Sequence, residues 1–264
     1  MEEKKSRKKL IKVLLVFVMA IIIVGCEGST NNDSASDETI TLTIGISPDY
    51  WPYEQLNENG SIEGFDADMV ALFEKYLTEE EGVSYKLKFR QMDFNFIVTQ
   101  IQLGQIDLGI SGFTYSEDRN VEWSKPYLDS SQVAVVNADS DIKTLADLEG
   151  RVLGVQTGTT GEEAAKAVKN ANVQSSDDAN DLFNALAEKK YDAVIIDSGV
   201  ANAQATQGNF IVLEDELVKE ENYIIAREGN KDIIEKINKC IDKFLVSKEY
   251  KVMCEKYSLK ALSQ

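Results

Sequence analysis

Hydrophobic and polar positions alternate where the globular part of the chain begins. Ile40, Leu42, Ile44 and Ile46 lie two apart with Thr41 and Thr43 between them, which predicts a strand over Thr39–Ile46. A loop with Pro48 and Pro52 is expected over Ser47–Gly60. Val70, Phe73 and Leu77 then fall at i, i+3 and i+7, the spacing of an amphipathic helix over Ala67–Leu77, with Asp66 as its N-cap. Tyr85, Leu87 and Phe89 alternate as a second strand. Asp93 is expected to cap a helix over Phe94–Leu103, with Ile97, Val98 and Ile101 facing inward, and a strand follows over Ile106–Ser111. Strand, helix, strand, helix, strand is the order of a parallel sheet covered by helices.

The pattern then restarts. Gln132–Val136 is apolar and extended, Leu145–Leu148 a short helix, Arg151–Gln156 a strand and Thr159–Lys169 a helix. Asp178–Lys189 reads as a helix with Leu182, Ala185 and Leu186 inward, Tyr191–Ile196 as a strand and Ser198–Thr206 as a helix. Asn222–Ala226 is extended and apolar, and Lys231–Tyr257 is helical. The fold class is therefore α/β in two lobes, each a mostly parallel sheet flanked by helices. Lobe 1 is expected at 39–130 plus 227–264 and lobe 2 at 134–222, joined by two extended crossings near 131–136 and 223–226. Paired strands of that kind bend in one direction, and the cleft between the lobes is the natural binding site.

The first 25 residues are not part of this pattern. A basic head of Lys4, Lys5, Arg7, Lys8, Lys9 and Lys12 precedes an unbroken apolar run of 12 residues, Val13–Val24. A membrane span needs roughly 20 residues, so the run is the core of a signal peptide. It ends in Ile23-Val24-Gly25-Cys26. Residues 26–38, with no large apolar side chain, read as a flexible tether.

Composition narrows the chemistry. The net charge is −17, and the first 25 residues carry 6 Lys and Arg against 2 Asp and Glu, so the rest stands at −21. Such a surface repels nucleic acid. Histidine is absent, which removes the commonest general base and the commonest zinc ligand. Cys240 and Cys254 both fall in the last helical stretch and are either a disulfide or two separate buried thiols. No cofactor or metal is expected.

The candidate site residues suit a small ligand that carries a carboxylate. Arg119 follows the small-residue turn Ser111-Gly112-Phe113-Thr114, and a planar guanidinium can hold both oxygens of a carboxylate. The turn Gln156-Thr157-Gly158-Thr159-Thr160-Gly161 follows a strand and opens a helix, an arrangement that presents unpaired N–H groups to an anion. Asp197 lies at the C-terminal end of a strand, the edge where ligands of open parallel sheets gather. It either binds an ammonium, with the Thr114 hydroxyl and Gly112 carbonyl, or caps the following helix.

Several pieces resemble the solute-binding proteins of bacterial amino-acid ABC importers, the polar amino-acid family: Gly104-Gln105-Ile106-Asp107, Ile110-Ser111-Gly112-Phe113-Thr114, Arg119, Trp123-Ser124-Lys125-Pro126-Tyr127, the turn around Thr160, and Gly64-Phe65-Asp66-Ala67-Asp68. The resemblance runs from about Ile40 to Tyr257. It implies a two-lobed periplasmic-binding-protein fold with no enzymatic activity. In it Thr114, Arg119 and Thr160 meet the ligand's α-amino and α-carboxylate groups, Asp197 binds the α-ammonium, and Tyr50 and Phe94 clamp the side chain. Relatives that bind basic amino acids carry an acid where this chain has Ser47, which argues against a basic ligand unless Asp49 substitutes. Gly64–Asp68 and Trp123 are expected to be structural. The resemblance further implies lipidation of Cys26, an extracytoplasmic, membrane-anchored monomer, an ABC permease as partner, and ligand-induced closure. Two alternatives use the same fold: a dehydratase acting on carboxylated rings, with Asp197 or Glu162 as general acid, and a sensor subunit.

Overall fold

The computed structural model describes residues 39–263. The expectations for the signal segment, Cys26 and the tether concern residues outside the described ones. Strand β1 (Thr39–Ile46) has the expected bounds. Of a small antiparallel sheet, β2 (Asp49–Tyr50) and β3 (Glu54–Leu56) occupy the stretch expected to be loop and β4 (Ile62–Glu63) follows it. Strands of two or three residues are too short to show alternation. Helix α1 is Phe65–Glu81, β5 is Ser84–Gln91, α2 is Phe94–Gln102, β6 is Leu108–Gly109 and β7 is Val121–Trp123.

The N-cap of α1 is Gly64, not Asp66. Gly64 has φ 133, and a Cβ there would lie 2.2 Å from the Tyr53 carbonyl oxygen, so only glycine passes this point. Asp66 is instead fully buried inside the first turn. Asp93 holds the N-cap position of α2, but its side chain makes no capping hydrogen bond.

The second half contains β8 (Leu128–Asn137), a 3-10 turn at Leu145–Leu148, β9 (Val152–Gln156), α3 (Thr160–Lys166), β10 (Asn172–Ser176), α4 (Ala179–Ala187), β11 (Ala193–Asp197), α5 (Ser198–Gln207) and β12 (Phe210–Asn222). The chain ends with β13 (Ile225–Arg227), α6 (Lys231–Leu245) and α7 (Lys248–Tyr257). One sheet has the order β5-β1-β6-β13-β7 and the other β10-β9-β11-β8-β12. In each, the first three strands run parallel and the remaining pairings are antiparallel. The antiparallel strands are those that carry the chain between the sheets and back.

Strand β12 pairs with β8 from Leu128↔Asn222 to Asn137↔Phe210. The two strands leave the first sheet together, where Tyr127 N–H donates to the Asn222 carbonyl at 2.9 Å and Ser124 N–H to the Ile224 carbonyl at 2.9 Å.

Aromatic rings fill the space under the first sheet. Phe65 stacks on Tyr127 with ring centroids 6.2 Å apart and meets Phe244 edge-on at 6.1 Å. Trp123 is only partly buried, its ring tilted against Tyr115 with ring centres 5.2 Å apart, rather than within the core. Cys240 and Cys254 are free and buried, so the disulfide alternative does not hold. Cys240 shares the buried stripe of α6 with Ile233, Ile237, Ile241 and Phe244, where a thiol packs as a small apolar side chain. Burial pushes the Cys240 thiol up to about 12 and the Cys254 thiol up to about 11.

Candidate functional site

Each candidate side chain sits where a strand or a turn ends. Tyr50 closes β2, Phe94 opens α2, Thr160 opens α3, and Asp197 closes β11. Gly112 has φ 58, in the left-handed region, and a Cβ there would meet the Tyr50 ring at 3.4 Å. Glycine therefore lets the chain turn there, and Thr114 follows, buried, in bridge pairing with Asn222. All seven residues singled out from the sequence (Tyr50, Phe94, Gly112, Thr114, Arg119, Thr160 and Asp197) line one narrow cavity of about 10 Å³, together with Ser111, Gln156 and Thr159.

The two sheets contribute opposite walls, and these meet directly. The Thr114 and Thr160 hydroxyls are 2.8 Å apart. Arg119 donates through Nη1 to the Thr114 carbonyl at 2.7 Å and through Nη2 to the Gly158 carbonyl at 2.9 Å. Its guanidinium lies 5.6 Å from the Phe94 ring centre and 5.3 Å from that of Phe113. Those two rings stack at 4.6 Å, so Arg119 sits on an aromatic platform that favours a cation. Burial lowers its pKa, while Glu163, Glu220 and Asp197 pull it back up.

Asp197 occupies the N-cap position of α5 without a side-chain capping bond. Its carboxylate turns into the cavity and accepts from Tyr50 Oη at 2.6 Å and Ser130 Oγ at 2.5 Å. Burial raises its pKa, and the Ser130, Tyr50 and Gln132 hydrogen bonds and Arg119 oppose that rise. A buried carboxylate held by hydroxyls beside a carbonyl-rich turn is suited to an ammonium group.

The turn before α3 is more self-contained than a bare anion cradle. Thr159 Oγ1 accepts from Glu162 N–H at 3.2 Å, and the Glu162 carboxylate accepts from Gly158 N–H at 2.8 Å. Two of its donors are thus taken locally, and the Thr160 hydroxyl is the group turned to the cavity wall. Glu162 also pairs with Lys166 at 2.7 Å and lies outside the cavity lining. Asp49 is likewise committed elsewhere. It accepts from Ser47 Oγ at 2.7 Å, Gln156 Nε2 at 3.0 Å and Ala179 N–H at 2.7 Å. It joins the two halves beside the cavity and does not line it.

Sequence reasoning missed Ser130 and Gln132 on β8 and Glu220 on β12. Glu220 accepts from Thr160 Oγ1 at 3.1 Å and Gln132 Nε2 at 3.0 Å. Glu220 lies in the acidic run Glu214–Glu221, which carries no mark of facing a site. Ser130 and Gln132 could have been found from the inward face of β8. Among the described residues no cluster of three His, Cys, Asp or Glu is placed to hold a metal, and no helix is long and apolar enough to cross a membrane.

Residues 42–260 match the model of the bacterial extracellular solute-binding proteins, family 3. A probable histidine-binding protein of Campylobacter jejuni is 31% identical over 261 residues, covering 96% of this chain and 99% of that protein. An arginine-binding extracellular protein of Bacillus subtilis is 30% identical, covering 89% of this chain and 91% of the other. Among solved structures, an ancestral amino-acid-binding protein described as a precursor of cyclohexadienyl dehydratase superposes with a TM-score of 0.73 at 28% identity, covering 82% of this chain and 95% of its own.

Proposed function

The chain belongs to the bacterial extracellular solute-binding proteins of family 3, and on that premise we propose that it takes a free polar amino acid between its two sheets and delivers it to an ABC permease. The observation that carries this reading is the meeting of Arg119 and Thr114 with Thr160 and Asp197 around one cavity. A zwitterion needs a guanidinium for one end and a carboxylate for the other. Here the first belongs to the β6–β7 turn and the second to the end of β11. The ligand satisfies both only when the halves are together, so it favours the closed arrangement by its differential contacts. Hydrogen bonds to charged groups contribute about 1.5–3 kcal/mol each, and a few of them, less ordering costs, give micromolar affinity at about −8 kcal/mol.

Bending is assigned to the junction of β8 and β12 with the first sheet. The Tyr50 and Phe94 rings hold the ligand side chain. Because Asp49 is bonded to Ser47, Gln156 and Ala179, it offers no free acid to a basic side chain at that end of the cavity. Lipid on Cys26 keeps the protein at the outer face of the membrane beside the permease. A Cys26→Ser variant recovered with the membrane in the same proportion as wild type would rule the anchor out.

The test of the binding function is a thermal-shift screen against the common L-amino acids, because a ligand that binds only the native state raises the melting temperature. A flat screen sinks the proposal. The dehydratase reading keeps its place through the likeness to the dehydratase precursor. With Glu162 outside the cavity, Asp197 is the acid it would have to use, and turnover of a prephenate-like substrate would show it.

A further inference from the structure

The Thr160 hydroxyl has one proton and three neighbours. Thr114 Oγ1 lies 2.8 Å away, Glu220 Oε2 3.1 Å, and Gln132 Nε2, a donor, 3.3 Å. A hydroxyl donates once. When Glu220 is ionised, its carboxylate takes that proton. An amino-acid carboxylate seated between Arg119 and Thr160 needs the same proton, and it would bring a second negative charge beside Glu220.

We propose that Glu220 is a further residue of the binding site, whose carboxyl competes with the ligand's carboxylate for the Thr160 hydroxyl, so that Glu220 takes up a proton when the site takes an amino acid. This rests on the amino-acid reading of the site. Protonated Glu220 donates its own O–H to Thr160 Oγ1, keeps the bond from Gln132, and leaves the Thr160 proton free to turn to the ligand. The proton comes from solvent through an open groove of about 520 Å³ behind the strand crossing, which Glu220 and Ser130 line.

The charges around Glu220 are consistent with this. Among the described residues Glu220 is in no ion pair. The groove cations are engaged elsewhere, Lys260 with Asp129 at 3.5 Å and Lys219 with Glu216 at 3.8 Å. Glu221, next on the same strand, accepts from Tyr223 Oη at 2.5 Å, and Tyr115 completes the groove wall. On the cavity side Asp197 repels the charge and Arg119 attracts it, and Glu163 of α3 acts on Arg119. Burial dominates and pushes Glu220 up to about 7, so both of its states are populated near neutrality.

The experiment measures binding of L-arginine, L-lysine and L-glutamine by calorimetry, in wild type and Glu220→Gln, in buffers of different ionisation enthalpy. If Glu220 must be protonated in the complex, affinity weakens about tenfold from about pH 6 to about pH 8, with net proton uptake at the higher pH. Glu220→Gln, which cannot ionise, binds with little change across the same range and without that uptake. Equal affinity at both pH values in wild type, or a pH dependence that survives Glu220→Gln, overturns the inference while leaving the amino-acid reading intact. Binding of none of the three at either pH, together with a flat thermal-shift screen, overturns both.

Discussion

Tyr50 and Asp197 are 147 positions apart in sequence and joined by a 2.6 Å hydrogen bond, phenol to carboxylate, across the two halves of the molecule. Both groups are buried, and burial raises the pKa of each. The phenol therefore stays a donor, and the Asp197 carboxyl accepts from it and from Ser130. Tyr50→Phe removes one of these and leaves Ser130. Loss of a hydrogen bond to a charged group costs about 1.5–3 kcal/mol, and thermal unfolding should show the variant melting several degrees lower. An unchanged melting temperature would mean that the bond contributes nothing to holding the halves together.

Arg119 makes its two hydrogen bonds to carbonyls of opposite halves, Thr114 and Gly158. If Arg119 holds the ligand carboxylate as proposed, Arg119→Ala should lose affinity for any amino acid by about a hundredfold or more, the worth of two charge-assisted bonds. The fold should survive, because the guanidinium sits at a cavity wall and not in the core. Arg119→Lys keeps the charge but loses the planar fork and should fall between the two. Calorimetry giving wild-type affinity for Arg119→Ala would remove the guanidinium from the site.

What could be read from sequence was set by where burial is one-sided. Strand β1 and helix α1 each turn a regular apolar face to the core, so their period shows. Strand β12 does not. Its Glu214-Asp215-Glu216 lie exposed at a sheet edge, and its register shifts between Val212 and Val218, so the only extended signal was its last residue. For the same reason Glu220 went unnoticed, since its contact with Thr160 exists only through the β8–β12 register. Asp66 was misread because an acid ahead of an apolar period looks like a cap, whereas here Gly64 turns the chain and carries Asp66 inside. Asp197 was visible because it follows the end of a strand, and Thr160 because it lies in a strand-to-helix turn, whereas Tyr50 and Phe94 came only from the family resemblance.

Cys240 and Cys254 predict a negative result with a positive control. Both thiols are free, buried and pushed well above their ordinary range, so alkylating reagents should react slowly in the native protein and fast once it is unfolded. Reductant should leave the melting temperature unchanged. A drop of several degrees on reduction would reveal a disulfide, whose removal typically costs about 2–5 kcal/mol in a small exported domain.

Glu54 and Asp66 face one another in the core behind Ser111 and Gly112. Ser111 Oγ donates to Glu54 Oε1 at 2.5 Å and Tyr127 Oη to Asp66 Oδ1 at 3.1 Å, while Glu54 Oε2 and Asp66 Oδ2 have no other partner. One proton shared between those two oxygens satisfies both, and Glu54 is the group that carries it. Burial raises both pKa values, Asp66 to about 6 and Glu54 further. The surrounding titratable groups, Tyr53, Tyr127 and Asp49, supply no positive charge to reverse this. The folded state therefore binds more protons than the unfolded chain above the ordinary carboxylate range. The resulting stability is fully present at low pH and is lost as pH rises through about 6 and beyond. Glu54→Gln replaces the shared proton with a permanent N–H donor to Asp66, so its melting temperature should decline less than wild type between about pH 6 and about pH 9. Parallel melting curves for the two proteins across that range would show that no proton is shared there.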